Sequence, residues 1–147
     1  MDEGERIISG LSGEDPAALA QQRSLIEPYL GNEESRRKYE EPVGKLGLLR
    51  ALLENKVFSP EQTFELQSMG VVLGDVFAQE LGKEWIVVED SFGRTPALRY
   101  PNTTIILYPI TMISKSIEAG EQVDVFDMYN SLAAEVDEIL QDTDNET

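Results

Sequence analysis

Carboxylates, guanidiniums and aromatic rings gather in one stretch of this chain, where Trp85, Glu89, Asp90, Arg94, Arg99 and Tyr108 follow one another around the apolar run "WIVV". The chemistry open to them is restricted. The sequence holds no histidine and no cysteine, which removes imidazole bases, thiolate nucleophiles, disulfides and zinc–thiolate centres together. Catalysis would have to rest on carboxylates, lysines, tyrosines or an oxygen-ligated magnesium or calcium ion. Adjacent strand residues point to opposite faces, so Glu89 and Asp90 cannot form the carboxylate pair of a glycoside hydrolase. Asp90 is expected to cap its own turn. No catalytic residue, metal ligand or cofactor site is assigned.

The same alternation defines a candidate binding face. "DSFG" suits a type I turn closed by Gly93, with Asp90 opposite Arg94, Ile86 opposite Leu98 and Trp85 opposite Arg99. "YPNT" suits a second turn, pairing Arg99 with Thr104 and Leu98 with Ile105. One face then carries Ile86, Val88, Leu98, Tyr100, Ile105 and Leu107 and is the core side. The other carries Trp85, Val87, Glu89, Thr95, Ala97, Arg99, Thr104, Ile106 and Tyr108. A guanidinium at Arg99 lying over Trp85, with Tyr108 alongside, would gain roughly 0.5–2 kcal/mol and be held flat to receive a carboxylate or phosphate. Trp85, Glu89, Arg99 and Tyr108 are therefore the candidate binding residues; the plainer alternative is a packing pair under a covering helix.

Helices must position this meander. Residues 1–14 are polar and expected to be loose, and an apolar helical stripe runs from Pro16 through Leu30 to a stop at Gly31. "NEESRRKYEE" reads as a short solvated helix, and a third runs from Pro42 to Asn55 with Leu46, Leu49, Leu52 and Leu53 inward. "SPEQ" at Ser59–Gln62 has the form of a capping box opening a helix that continues to Leu81. Gly70 and Gly74, one turn apart in it, predict close approach of another element. Strands are expected at 84–90, 95–100 and 103–108, then a helix between Pro109 and Gly120 with a Lys115–Glu118 ion pair. Asp124 caps a last amphipathic helix bearing Phe126, Tyr129, Leu132, Ala133, Val136, Ile139 and Leu140. The fold class is α+β, a three-stranded antiparallel meander packed against several α-helices. A single domain spans 15–141, ahead of a disordered acidic tail at 142–147 that lacks the glycine and terminal glutamate of a calcium loop.

Charge is the strongest global signal, a formal net of −16 from 28 acidic and 12 basic side chains. No lysine or arginine follows Lys115, whereas Glu118, Glu121, Asp124, Asp127, Glu135, Asp137, Glu138, Asp142, Asp144 and Glu146 do. Such a field repels nucleic-acid phosphates and accelerates encounter with a basic protein. The acidic start and the lack of a long apolar run predict a cytoplasmic protein with no membrane span.

The order Leu73–Gly74, Leu81–Gly82, "EWIVVED", Gly93, "PALRYP", Pro109, "MISK", Glu118 and Gly120 resembles a bacterial domain family of unknown function over about residues 65–125. The resemblance implies a small α+β domain and carries no functional residues with it. The expected function is a non-catalytic acidic binding protein engaging a basic protein partner, with an immunity protein neutralising a cognate toxin as one instance. A small-molecule or enzymatic site on the Trp85/Arg99 face and a structural assembly domain are the alternatives.

Overall fold

A computed structural model describes residues 6–82, 84–100 and 103–145, with side chains through Gln141. A four-stranded antiparallel sheet, in the order β1-β2-β3-β4, lies beside six α-helices. The elements are β1 (Ile7–Gly10), α1 (Asp15–Ile26), α2 (Glu33–Tyr39), α3 (Pro42–Glu54), α4 (Thr63–Leu81), β2 (Glu84–Asp90), β3 (Gly93–Arg99), β4 (Ile106–Leu107), α5 (Met112–Glu118) and α6 (Val125–Asn145). No helix among the described residues is long and apolar enough to cross a membrane.

The α+β class is as expected, but the sheet has four strands rather than three. Ile7–Gly10, expected to be loose, pairs with β2, Ile8 opposite Val88. The first helix ends at Ile26, and Glu27–Tyr29 forms a 3-10 turn around Pro28, which has no N–H with which to continue the α-ladder. α6 keeps its helical backbone to Asn145, beyond the start expected for a disordered tail; residues 146–147 lie outside the described residues. Its Asp124 cap forms as read, Oδ1 accepting from the Asp127 N–H at 3.1 Å. The "SPEQ" box forms by half: the Ser59 N–H donates to Gln62 Oε1 at 2.8 Å, and α4 starts only at Thr63.

Helix α4 is the spine, burying Leu66, Met69, Val72, Leu73, Val76 and Phe77 in the main core. A Cβ on Gly70 would collide with the backbone of Ile110, and one on Gly74 with the Trp85 ring and Pro109. The close approach predicted from the glycine spacing is therefore made by β2 and by the 3-10 turn at Pro109–Thr111.

Strand register corrects the expected faces. The hairpin loop is one residue tighter than a bulged turn allows, with Asp90 opposite Gly93, Trp85 opposite Leu98 and Glu84 opposite Arg99. Asp90 still caps it, accepting from the Phe92 N–H at 2.9 Å. Because a one-residue slip exchanges faces, Trp85 and Leu98 now share the side that joins the main core, together with Leu107. Ile86, Val88 and Ala97 form a second buried cluster with Ile106 against it. β4 pairs Leu98 with Leu107 and is only two residues long. Ahead of it Thr103 Oγ1 donates to the Tyr100 carbonyl and accepts from the Ile105 N–H. The central pair of the expected "YPNT" turn, Pro101 and Asn102, lies outside the described residues.

Candidate functional site

The register separates the four residues singled out from the sequence. Trp85 and Glu89 stand on the face that holds Leu98, while Arg99 stands on the opposite face beside Ile106. Tyr108 lies just past β4 and is 36% exposed. No hydrogen bond, ion pair or ring contact joins any two of the four among the described residues. Arg99 pairs instead with its cross-strand neighbour, Nη2 to Glu84 Oε1 at 2.9 Å, with its Nε buried and lacking a partner. Glu89 is exposed at the hairpin end, opposite Arg94.

Trp85 belongs to a polar network that the sequence reading missed. Its indole N–H donates to Asp75 Oδ1 at 3.1 Å, and Arg23 grips the same carboxylate with two bonds, Nε to Oδ2 at 2.7 Å and Nη2 to Oδ1 at 2.8 Å. Beside it Lys45, almost wholly buried, donates to the Tyr39 carbonyl at 2.7 Å and lies 4.9 Å from the Tyr39 ring centroid. Burial pushes the Tyr39 hydroxyl up and the Lys45 ammonium down from their usual ranges, because each loses the water that solvates its charged form. Asp75 was the available signal, the one charge in the apolar run between Glu65 and Glu80. None of these residues lines the two clefts described below, and the Asp75 oxygens are taken by Arg23 and Trp85. The network therefore ties α1 and β2 to α4.

The larger cleft lies elsewhere. It encloses about 880 Å³ between the end of α3, the start of α4 and the end of α5. Two helix C-caps build its lips by the same device, a left-handed residue that lets one N–H reach back five residues and the next three. At α3 the residue is Lys56 (φ 49°), with the Lys56 N–H on the Leu53 carbonyl and the Val57 N–H on the Leu52 carbonyl. At α5 it is Gly120 (φ 81°), with the Gly120 N–H on the Ile117 carbonyl and the Glu121 N–H on the Ser116 carbonyl. Both caps turn the chain sharply, leaving Val57 and Val123 as walls over a floor of Leu52, Leu66 and Met69. Glu54, Lys56 and Glu121 stand at the rim. A shallower hollow of about 490 Å³ shares residues 121–123 and is lined by Lys115, Asp124 and Asp127. The Lys115–Glu118 pair expected there is absent from the ion pairs among the described residues; Glu118 accepts from Thr63 Oγ1 at 3.3 Å.

Leu52, Leu53, Val57, Leu66, Met69, Ile117 and Val123 give the larger cleft apolar walls, and the carbonyl of Gln62 in its lining is already occupied by the Ser59 N–H. Among the described residues no three acids gather closely enough to hold a metal ion.

Residues 45–129 match the model of a family described as a domain of unknown function, DUF3806. The match covers more than half of the chain, so the chain belongs to that family. The resemblance read from the sequence is thereby confirmed, and it begins at Lys45 within α3 rather than near residue 65. The cleft lining, from Leu52 to Val123, falls inside the matched segment, whereas Arg23 does not. No curated protein matches the chain. A crystal structure from Bacteroides thetaiotaomicron VPI-5482 shares the fold with a TM-score of 0.69 at 17% identity, covering 90% of this chain and 50% of that one. The chain thus spans about half the length of that structure, and at this identity the likeness concerns the fold alone.

Proposed function

We propose that this chain is a non-catalytic binding module whose acidic side engages a basic protein. The observation that carries the reading is an unequal division of charge. Arg23 is engaged by Asp75, Lys38 by Glu34, Arg50 by Glu54, Arg94 by Asp15 and Arg99 by Glu84, and Lys45 faces a backbone carbonyl, so that of the described cations Arg6, Arg36, Arg37, Lys56 and Lys115 form no ion pair among the described residues and none of these lies on α6. Glu121, Asp124, Asp127, Glu135, Asp137 and Glu138 are exposed, and none forms an ion pair among the described residues. A one-sign surface of this kind concentrates and steers a cationic partner, most strongly at low salt.

The test is affinity capture from extracts of the source cell at low and at moderate salt. The wild-type chain is compared with a variant neutralised along α6 (Glu135→Gln, Asp137→Asn, Glu138→Gln). A basic protein retained by the wild type, released by salt and lost by the variant is the expected result; identical recoveries by both chains refute the reading. An immunity role is one instance, tested by whether the chain protects cells producing the product of the adjacent gene. The alternative site on Trp85, Glu89, Arg99 and Tyr108 is weakened by the division of those residues between two faces. An assembly role predicts concentration-dependent oligomerisation by sedimentation.

A further inference from the structure

The cleft between the α3 and α5 caps combines two properties that one kind of ligand satisfies together. Its interior is aliphatic and large enough for bulky side chains, with volume in the range of ligand pockets and Met69, an adaptable thioether, at its floor. Its surroundings are acidic: Glu121 lines it beside Glu54, which Arg50 pairs, Glu61 is exposed on the flanking turn and Glu118 at the end of α5, and Asp124 and Asp127 continue into the adjoining hollow. Lys56 is the cation in its lining, and Lys115 the cation in that of the hollow.

We infer that this cleft seats an amphipathic Lys/Arg-bearing segment of the partner, with one or two aliphatic or aromatic side chains buried between Val57 and Val123 and its cations on the acidic rim. The inference rests on the proposed engagement of a basic protein and adds where and how that protein docks. Charge complementarity selects this occupant. A fatty acid or an acidic peptide would bring its own negative charge beside Glu61 and Glu121, where like charges repel. A neutral ligand would use the walls and leave the rim idle. A helix with apolar residues on one side and cations on the other uses both, as in helix-in-groove recognition.

The full chain is titrated with three synthetic peptides of about 14 residues, roughly 21 Å long as helices. One is a leucine/lysine amphipathic peptide, one replaces its lysines by glutamate, and one replaces its leucines by serine. Dissociation constants are read by fluorescence anisotropy, and methyl NMR shifts are followed at Leu53, Val57, Ile117 and Val123. The leucine/lysine peptide is expected to bind and to move those methyls. Val57→Arg, at a position already 37% exposed, should weaken it by about tenfold or more, equivalent to about 1.4 kcal/mol. Lys56→Glu should tighten it. Neutralising Glu14 and Glu33, exposed residues outside the lining of both clefts, should change it less than about twofold, as expected for screened distant charges. Retained folding of each variant is checked by its urea midpoint.

Equal binding of the leucine and serine peptides, or unmoved cleft methyls on binding, overturns the cleft while leaving an acidic surface that binds cations. Binding of the glutamate peptide as tightly as the lysine one overturns the partner chemistry. Failure of both lysine peptides to bind at low salt removes the cleft inference and the reading beneath it.

Discussion

At the scale of single residues, Asp75 has the most to lose. It accepts from Arg23 and Trp85, and both donors are left without it if it is removed. Asp75→Ala should therefore cost about 2–4 kcal/mol, less than for a fully buried pair because Arg23 keeps some access to water. Urea unfolding of Asp75→Ala and Asp75→Asn checks this, with the amide intermediate because its oxygen still receives the indole N–H. Asp15 carries a pH signature. The Arg94 guanidinium, helped by the Ser12 N–H, holds its carboxyl below the usual range. Its stabilising contribution is complete above the unfolded aspartate value of about 3.9 and is lost as pH falls through the lower folded value. Asp15→Asn should flatten that part of the acid limb in urea midpoints taken against pH. Residue types alone pointed to Arg99 as the guanidinium placed by Trp85. The partner Trp85 takes is Asp75, with Arg23 beyond it, and a contact between residues 52 apart in sequence leaves no local pattern to read.

At the scale of elements, most of what was legible came from punctuation and little from alternation. Pro42 and Asp124 marked helix limits, and the Gly70/Gly74 spacing announced a close crossing. That crossing predicts opposite outcomes for one substitution in two helices. Gly70→Ala should destabilise by about 1–3 kcal/mol, since the rigid Ile110 backbone must move. Gly47→Ala, where an added Cβ meets nothing within 4 Å, should stabilise by up to about 1 kcal/mol through helix propensity. Thermal unfolding of the two variants decides it. The hairpin register was not legible, because β2 is apolar on both faces: Val87 is buried on one and Ile86 and Val88 on the other. Where both faces are apolar, alternation cannot choose between registers one residue apart. β1 was missed for a related reason, since "IISG" acquires strand character only from pairing with a segment far along the chain. The cleft was illegible too. Its two caps require a left-handed backbone, and only one of them advertises it with glycine; the other uses Lys56.

At the scale of the whole molecule, the −16 net charge acts on the fold itself. Self-repulsion among unpaired acids should make the protein more stable as ionic strength rises from about 10 mM towards 0.15 M, the interval over which the Debye length contracts from about 30 to 8 Å. The α6-neutralised variant should show a smaller rise in melting temperature over the same interval. The charge imbalance was fully readable in the composition, whereas which cations are paired within the molecule needed the fold. The family segment, residues 45–129, contains the cleft but neither β1 nor α1. Produced by itself it would present β2 as a bare edge, seven residues long and rich in valine and isoleucine, with the hydrogen bonds that β1 supplies left open. Such an edge recruits strands from other copies. β1 thus acts as an insulating border, and a fragment trimmed to the family limits is expected to aggregate where the whole chain stays monodisperse by light scattering.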